Sequence, residues 1–195
     1  MIELHKGDCL EVMKTIESDS IDAIITDTPY GTTACKWDSV IDFELMWEQL
    51  NRIIKPNGAI VLFGSEPFSS ALRMSNIKNY KYDWIWEKSR PIGFLNVKKM
   101  PLKSIELISV FYKKPPTYNP QNVIKINKKK VNDNSKNGNN KTGLSGHNGG
   151  KMKGDYIQKY TNYPKQILSF ASERGEHPTQ KPVPLMEYLI KTYTN

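Results

Sequence analysis

Asp27, Thr28, Pro29 and Tyr30 stand directly after an apolar run, Ile21-Asp22-Ala23-Ile24-Ile25, and bring a carboxylate, a rigid turn and an aromatic ring to one point of the chain. These groups suit a demanding reaction, transfer of a methyl group to the exocyclic amine of a nucleobase. The amine of adenine or cytosine is a poor nucleophile because its lone pair is delocalised into the ring. A catalyst must hold the N–H groups with acceptors while a methyl sulfonium approaches, and Asp27 with the carbonyl of Thr28 would supply two. An amine inside a duplex is out of reach, so the nucleotide must first leave the stack. Tyr30 would then receive the extruded base, with stacking worth roughly 1–3 kcal/mol. Pro29 fixes the backbone between these groups. Asp, Pro and Gly are also ordinary turn formers, and the same residues suit a plain exit from a strand.

The elements that must position this loop follow from hydrophobic pattern. The β-branched run 21–26 reads as a buried strand whose carboxyl end delivers the loop, where open α/β sheets place their ligands. Ile2 to His5 reads as a short strand, Lys6-Gly7-Asp8 as its exit, and Cys9 to Ile16 as a helix with Asp8 as its N-cap. Asp42 caps a second helix with Phe43, Met46, Leu50 and Ile53-Ile54 at helical spacing, and Lys55-Pro56-Asn57-Gly58 is predicted to end it. Ala59 to Phe63 is a fully buried strand by composition, followed by a helix to about Met74. Tyr80–Lys88 alternates Tyr82, Trp84 and Trp86 with more polar residues, and Ile105–Tyr112 is a second strand. The two are expected to pair antiparallel at a sheet edge, with the Trp stripe in the core. The connection from Ser89 to Met100 is too long for a simple hairpin and offers Arg90, Lys98 and Lys99 to phosphates or to solvent.

Composition sets the class of partner. The chain has 195 residues, suited to one domain with a real core, and carries a formal charge of +8. A basic balance favours a polyanionic partner without distinguishing nucleic acid from a membrane surface. No apolar stretch approaches a membrane span, and Met1-Ile2-Glu3-Leu4 does not open a signal peptide, so a cytoplasmic protein is expected. Cys9 and Cys35 lack a Cys-x-x-Cys spacing and read as reduced thiols, with no metal site expected. From Lys113 to Lys165 there are twelve lysines and two aspartates, a surplus of ten positive charges that exceeds the whole chain's +8. Lys128, Lys129 and Lys130 form its densest run, and Tyr118, Tyr156, Tyr160 and Tyr163 add rings. Asn134–Gly150 is rich in Asn, Gly and Lys, a composition expected to be flexible without a partner. The segment suits nucleic-acid binding or a solubilising linker.

Asp27-Thr28-Pro29-Tyr30 resembles the Asp-Pro-Pro-Tyr motif of DNA methyltransferases that methylate adenine N6 or cytosine N4 from S-adenosylmethionine, with Thr28 where the family has its first proline. His177-Pro178-Thr179-Gln180-Lys181-Pro182, before a helix over Val183–Thr192, closely resembles a second motif of the group with permuted motif order. The resemblance implies an α/β fold: a partial Rossmann-like S-adenosylmethionine methyltransferase sheet with helices on both faces and a basic, partly flexible insert. It implies a catalytic core over 1–112, a target-recognition insert over 113–165 and a cofactor-side element over 166–195. It further implies that Asp8, Thr179, Gln180 and Lys181 face the cofactor, and that Lys36, Arg90, Lys98, Lys99 and Lys128–Lys130 face double-stranded DNA. The activity implied is site-specific methylation of a flipped base, adenine N6 favoured over cytosine N4, as in restriction-modification systems.

In the family a glycine-rich turn follows the second motif, and this sequence contains no such turn after a strand. The expected sheet therefore leaves strand 21–26 with an open edge, to be paired by residues 2–5, by a second copy or by a separate chain carrying the glycine-rich half. The competing readings are a non-catalytic DNA-binding protein on the same scaffold, one subunit of a split enzyme, and a methyltransferase acting on RNA or a side-chain amide.

Overall fold

The computed structural model describes residues 2–32, 38–130, 156–173 and 180–195. Lys36, Trp37, Asn134–Gly150 and His177–Thr179 lie outside the described residues. Two compact units are present, residues 1–119 with 165–195, and residues 120–164.

The larger unit is built on a five-stranded sheet. β1 (Ile21–Thr26) runs parallel to β2 (Ile54–Gly64), with Ile24 opposite Ile60 and Thr26 opposite Leu62. β3 (Tyr80–Ile92) and β2 both pair antiparallel with β4 (Lys103–Phe111), and β7 (Ile167–Phe170) lies parallel to β3. The strand order is therefore β1-β2-β4-β3-β7. Alternation along β2 assigns its side chains to two layers. Ala59, Val61 and Phe63 pack with Trp84, Trp86, Ile108 and Val110 under Leu185, Leu189 and Tyr193 of α4 (Val183–Tyr193). Ile60 and Leu62 pack on the other face with α2 (Phe43–Ile53) and α3 (Phe68–Ser75) through Met46, Trp47, Leu50, Phe68 and Leu72. Each large apolar side chain taken out of water contributes about 1.5–3 kcal/mol, so β2, apolar on both faces, is the main source of cohesion. The Trp stripe belongs to this core, and the Trp84 indole donates to the Tyr193 hydroxyl at 2.7 Å.

The helix caps follow the sequence. Asp8 accepts from the Leu10 amide at the start of α1 (Cys9–Lys14), and Asp42 accepts from Leu45 at the start of α2. Three expectations are corrected. Residues 2–5 form no strand and Ile2 and Leu4 are exposed, since no strand among the described residues lies beside them to complete their hydrogen bonds. Among the described residues β1 is paired on one side only. Lys55–Gly58 does not end α2 as a loop: the backbone is already extended at Ile54, and the turn-forming residues are absorbed as an irregularity opposite the start of β1. The β3–β4 pair is not at the edge, because β4 inserts between β2 and β3 and β7 takes the outer position.

The smaller unit contains a two-stranded antiparallel ribbon, β5 (Ile124–Lys130) with β6 (Tyr156–Thr161).

Candidate active site

The strand-to-loop exit after β1 is clamped by a residue that the sequence pattern does not single out. Asp38, buried, accepts from the Tyr30 and Gly31 amides through Oδ1 at 2.8 and 3.0 Å and from the Thr32 amide through Oδ2 at 2.9 Å. Three amides on one carboxylate hold the loop in place of the stiffness lost with Thr28, and Gly31 turns the chain at a φ of +65° that a side chain would disfavour. The Thr28 hydroxyl oxygen is buried with no hydrogen-bond partner among the described residues.

Around this loop the fold assembles five polar groups. The Tyr30 hydroxyl lies against Asp27 Oδ1 and 2.9 Å from Glu106 Oε1. Lys181 Nζ donates to Asp27 Oδ2 at 2.7 Å and reaches Glu106 Oε1 at 2.8 Å. Lys88 Nζ meets the second Glu106 oxygen at 2.6 Å. Two carboxylates and two ammonium groups thus balance in charge at the end of the sheet. Glu106 is only 5% exposed. Burial works against its charge, but the Lys181 and Lys88 ammonium groups outweigh that and hold its pKa below the usual carboxylate value. Burial first, then the Glu106 and Asp27 charges, pushes the Tyr30 hydroxyl far above its ordinary value, so it stays protonated and donates. One proton serves two carboxylates, which makes Lys181 necessary between them. The Tyr30 ring stacks on Phe68 with centroids 5.1 Å apart, so one of its faces is already covered.

The structure therefore brings Asp27, Thr28, Pro29, Tyr30 and Lys181 together from positions far apart in sequence. Gln180 is exposed beside Lys181. Asp8 is exposed, bonds to the Leu10 amide and takes no part in this cluster. Arg90 lies on the exposed end of β3, and Lys98 and Lys99 follow a single 3-10 turn, Phe94–Asn96, in the β3–β4 connection. Lys128, Lys129 and Lys130 are on β5. There a register shift between Lys125 and Lys128, with Asn127 at a φ of +47°, changes which side chains share a face. Lys125 comes opposite Tyr160, Lys128 opposite Gln158 and Lys130 opposite Tyr156, so three lysines, two rings and an amide lie on one side.

Glu106 and Lys88 are members of the cluster that the motifs do not reveal. A signal for them exists: Glu106 shares strand parity with Ile108 and Val110, so the pattern of β4 turns a carboxylate inward, and a buried carboxylate requires cations.

Two solved DNA methyltransferases share this fold. M1.HpyAVI, solved as a complex with SAM, superposes with a TM-score of 0.56 at 24% identity, covering 100% of this chain and 78% of its own. The PvuII DNA methyltransferase, cytosine-N4-specific, gives a TM-score of 0.61 at 14% identity, with 97% and 69% covered. Residues 21–195 match the N6/N4 methyltransferase family described as DNA methylase, and the chain belongs to that family. Type II methyltransferase M.HinfI of Haemophilus influenzae is 31% identical over 115 residues, covering 45% of this chain and 32% of the relative. Type II methyltransferase M2.MboI of Moraxella bovis is 23% identical over 218 residues, covering 98% and 70%. The chain thus spans about a third of the first relative and more than two thirds of the second.

Proposed function

We propose that the chain carries the target-base pocket of a DNA amino-methyltransferase that uses S-adenosylmethionine, with adenine N6 favoured over cytosine N4 because an aspartate leads the loop. The observation that carries this reading is the junction of Lys181 with Asp27, where the two motif-bearing segments meet in one charge-balanced cluster. Each carboxylate oxygen has two lone pairs, so Asp27 keeps acceptor capacity beyond Tyr30 and Lys181. With its side chain 34% exposed, it offers that capacity to an amine N–H. The Thr28 carbonyl is the second acceptor, and the buried Thr28 hydroxyl is a further polar group for a ligand at this edge. Phe68 stacks on the Tyr30 ring and the Lys181 ammonium lies over it at 5.9 Å, so the base is received beside Tyr30 once that ammonium turns aside. Lys181, held between two carboxylates, orients Asp27, leaving Gln180, Thr179 and Asp8 as the residues assigned to the cofactor. S-adenosylmethionine, when bound, supplies an electrophilic methyl group whose C–S electron pair returns to sulfur. The amine nitrogen forms the new N–C bond and its surplus proton departs by way of Asp27.

The DNA partner rests on the family and on the basic ribbon. Completion of the sheet by a second copy or a separate chain is favoured by the one-sided pairing of β1 among the described residues. No described helix is long and apolar enough to cross a membrane, and a cytoplasmic site of action is part of the proposal.

The test is transfer of labelled methyl from S-adenosylmethionine to unmethylated DNA, by the chain alone and with candidate second chains. Asp27→Ala should abolish transfer while DNA binding stays within about two-fold, because the carboxylate acts on the amine and not on the phosphates that dominate affinity. Equal transfer by the variant removes Asp27 from the mechanism. DNA binding without transfer under any combination favours a binding protein on the same scaffold.

A further inference from the structure

The β3–β4 connection shows apolar side chains to solvent that the Asp27 pocket does not require. Phe94 is 67% exposed, Leu95 fully so, and Val97 and Met100 more than half. These residues are held in an ordered turn. Gly93, at a φ of +98°, starts the 3-10 turn Phe94–Asn96, and backbone bonds from Asn96 to Gly93, Val97 to Phe94, Lys99 to Asn96 and Met100 to Asn96 close it. Four exposed apolar side chains within seven residues of one hydrogen-bonded turn mark an interaction surface.

Its place in the sheet identifies the partner. β2 ends at Gly64, level with Leu107, whereas β4 continues back to Lys103, about 13 Å of further strand at 3.3 Å per residue. The hairpin tip therefore overhangs the carboxyl edge of the sheet, the same edge that carries Asp27, Tyr30 and Glu106. Between Glu87 and Ile105 there is no acidic residue, while Arg90, Lys98, Lys99 and Lys103 lie in this stretch. An apolar tip in a basic collar complements a duplex, whose base stack is apolar and whose rim is phosphate.

We propose that Phe94 and Leu95 form a wedge that enters the duplex beside the target and fills the space left when the base is drawn into the Asp27 pocket, with Arg90, Lys98 and Lys99 seating the tip on the flanking phosphates. The wedge rests on the proposed base-methylating function. It supplies what the pocket lacks, a group that replaces the lost stacking and keeps the base from returning. The turn is preformed, so the insertion costs little ordering of the protein.

The experiment compares wild type with the double variant Phe94→Ser/Leu95→Ser on unmethylated genomic DNA, native and heat-denatured. Methyl transfer to native duplex should fall about ten-fold or more, the scale of removing one base-stacking interaction, and transfer to denatured DNA should change less than about two-fold because no stack is opened. Unchanged transfer to duplex, or an equal loss on both forms, overturns the wedge. A readout independent of activity accompanies it: L95W, in the full chain, should lose fluorescence and become shielded from iodide when duplex DNA binds. Quenching of L95W with no methyl transfer by wild type, alone or with candidate second chains, would keep the wedge and discard the function it was read with. Duplex binding with no change in L95W emission, or a change only with anionic lipid vesicles or another protein, discards the wedge.

Discussion

Replacing Glu106 with Gln tests the charge arithmetic of the site most directly. The substitution preserves shape but removes one of two negative charges, leaving Lys88 and Lys181 with Asp27 alone. Both lysine side chains are largely buried, at 16% and 12% exposed, so neither ammonium is simply returned to water. Removing one partner from a buried ion pair costs about 3–5 kcal/mol, because the remaining charge is left uncompensated. Lys181 retains Asp27 at 2.7 Å, and Lys88 keeps the Trp86 ring at 5.1 Å and the amide oxygen of the new Gln as an acceptor, so the lower end of that range applies, about 3 kcal/mol. For a chain of this length that corresponds to a fall in Tm of roughly 6–12 °C. The assay is thermal unfolding of wild type, E106Q and the double variant K88M/E106M. The double variant should recover part of the loss, since an apolar pair of similar volume avoids the desolvation of both charges. A melting curve for E106Q within about 1 °C of wild type would refute the argument that Glu106 is the hub of the cluster.

Acid should weaken the fold through the same residue. Folded Glu106 binds its proton less readily than in the unfolded chain, so the unfolded state takes up more protons in acid and stability rises with pH there. The contribution is present above the ordinary carboxylate range and lost as pH falls through the depressed folded value. Denaturant titrations of wild type and E106Q should converge on acidification, and parallel curves would contradict this. Asp27→Asn should reduce methyl transfer about 100-fold or more, since one acceptor becomes a donor where the amine must be held, and single-turnover transfer measures it. Replacing Lys125, Lys128 and Lys130 together by Gln should flatten the dependence of DNA affinity on salt by about 0.9 logarithmic units for each phosphate no longer neutralised. An unchanged slope in a salt titration would show that the ribbon face does not meet the backbone.

Much of this architecture was legible because local and global signals agreed. Asp8 and Asp42 cap helices where an acceptor precedes an amphipathic pattern, and Ala59–Phe63 is apolar at both parities because helices cover both faces of the sheet. The Asp27–Tyr30 loop could be placed because Asp27 follows a β-branched run. What stayed hidden depends on interactions that no local pattern encodes. Residues 2–5 have strand composition, yet a strand exists only where another completes its hydrogen bonds. Asp38 reads as one more polar loop residue until three amides converge on it. Lys181 was visible as part of a motif, but its partnership with Asp27 spans 154 positions and emerges only when α4 lies across β2.

That span has a consequence for the time at which the molecule becomes competent. A ribosome adding about 5–20 residues per second needs roughly 8–30 s to pass from Asp27 to Lys181. Through that interval Asp27, and Glu106 once it is made, lack Lys181, the ammonium that reconciles them. A copy released before residue 181 therefore lacks the Lys181–Asp27 junction and leaves two carboxylates to share the Tyr30 proton.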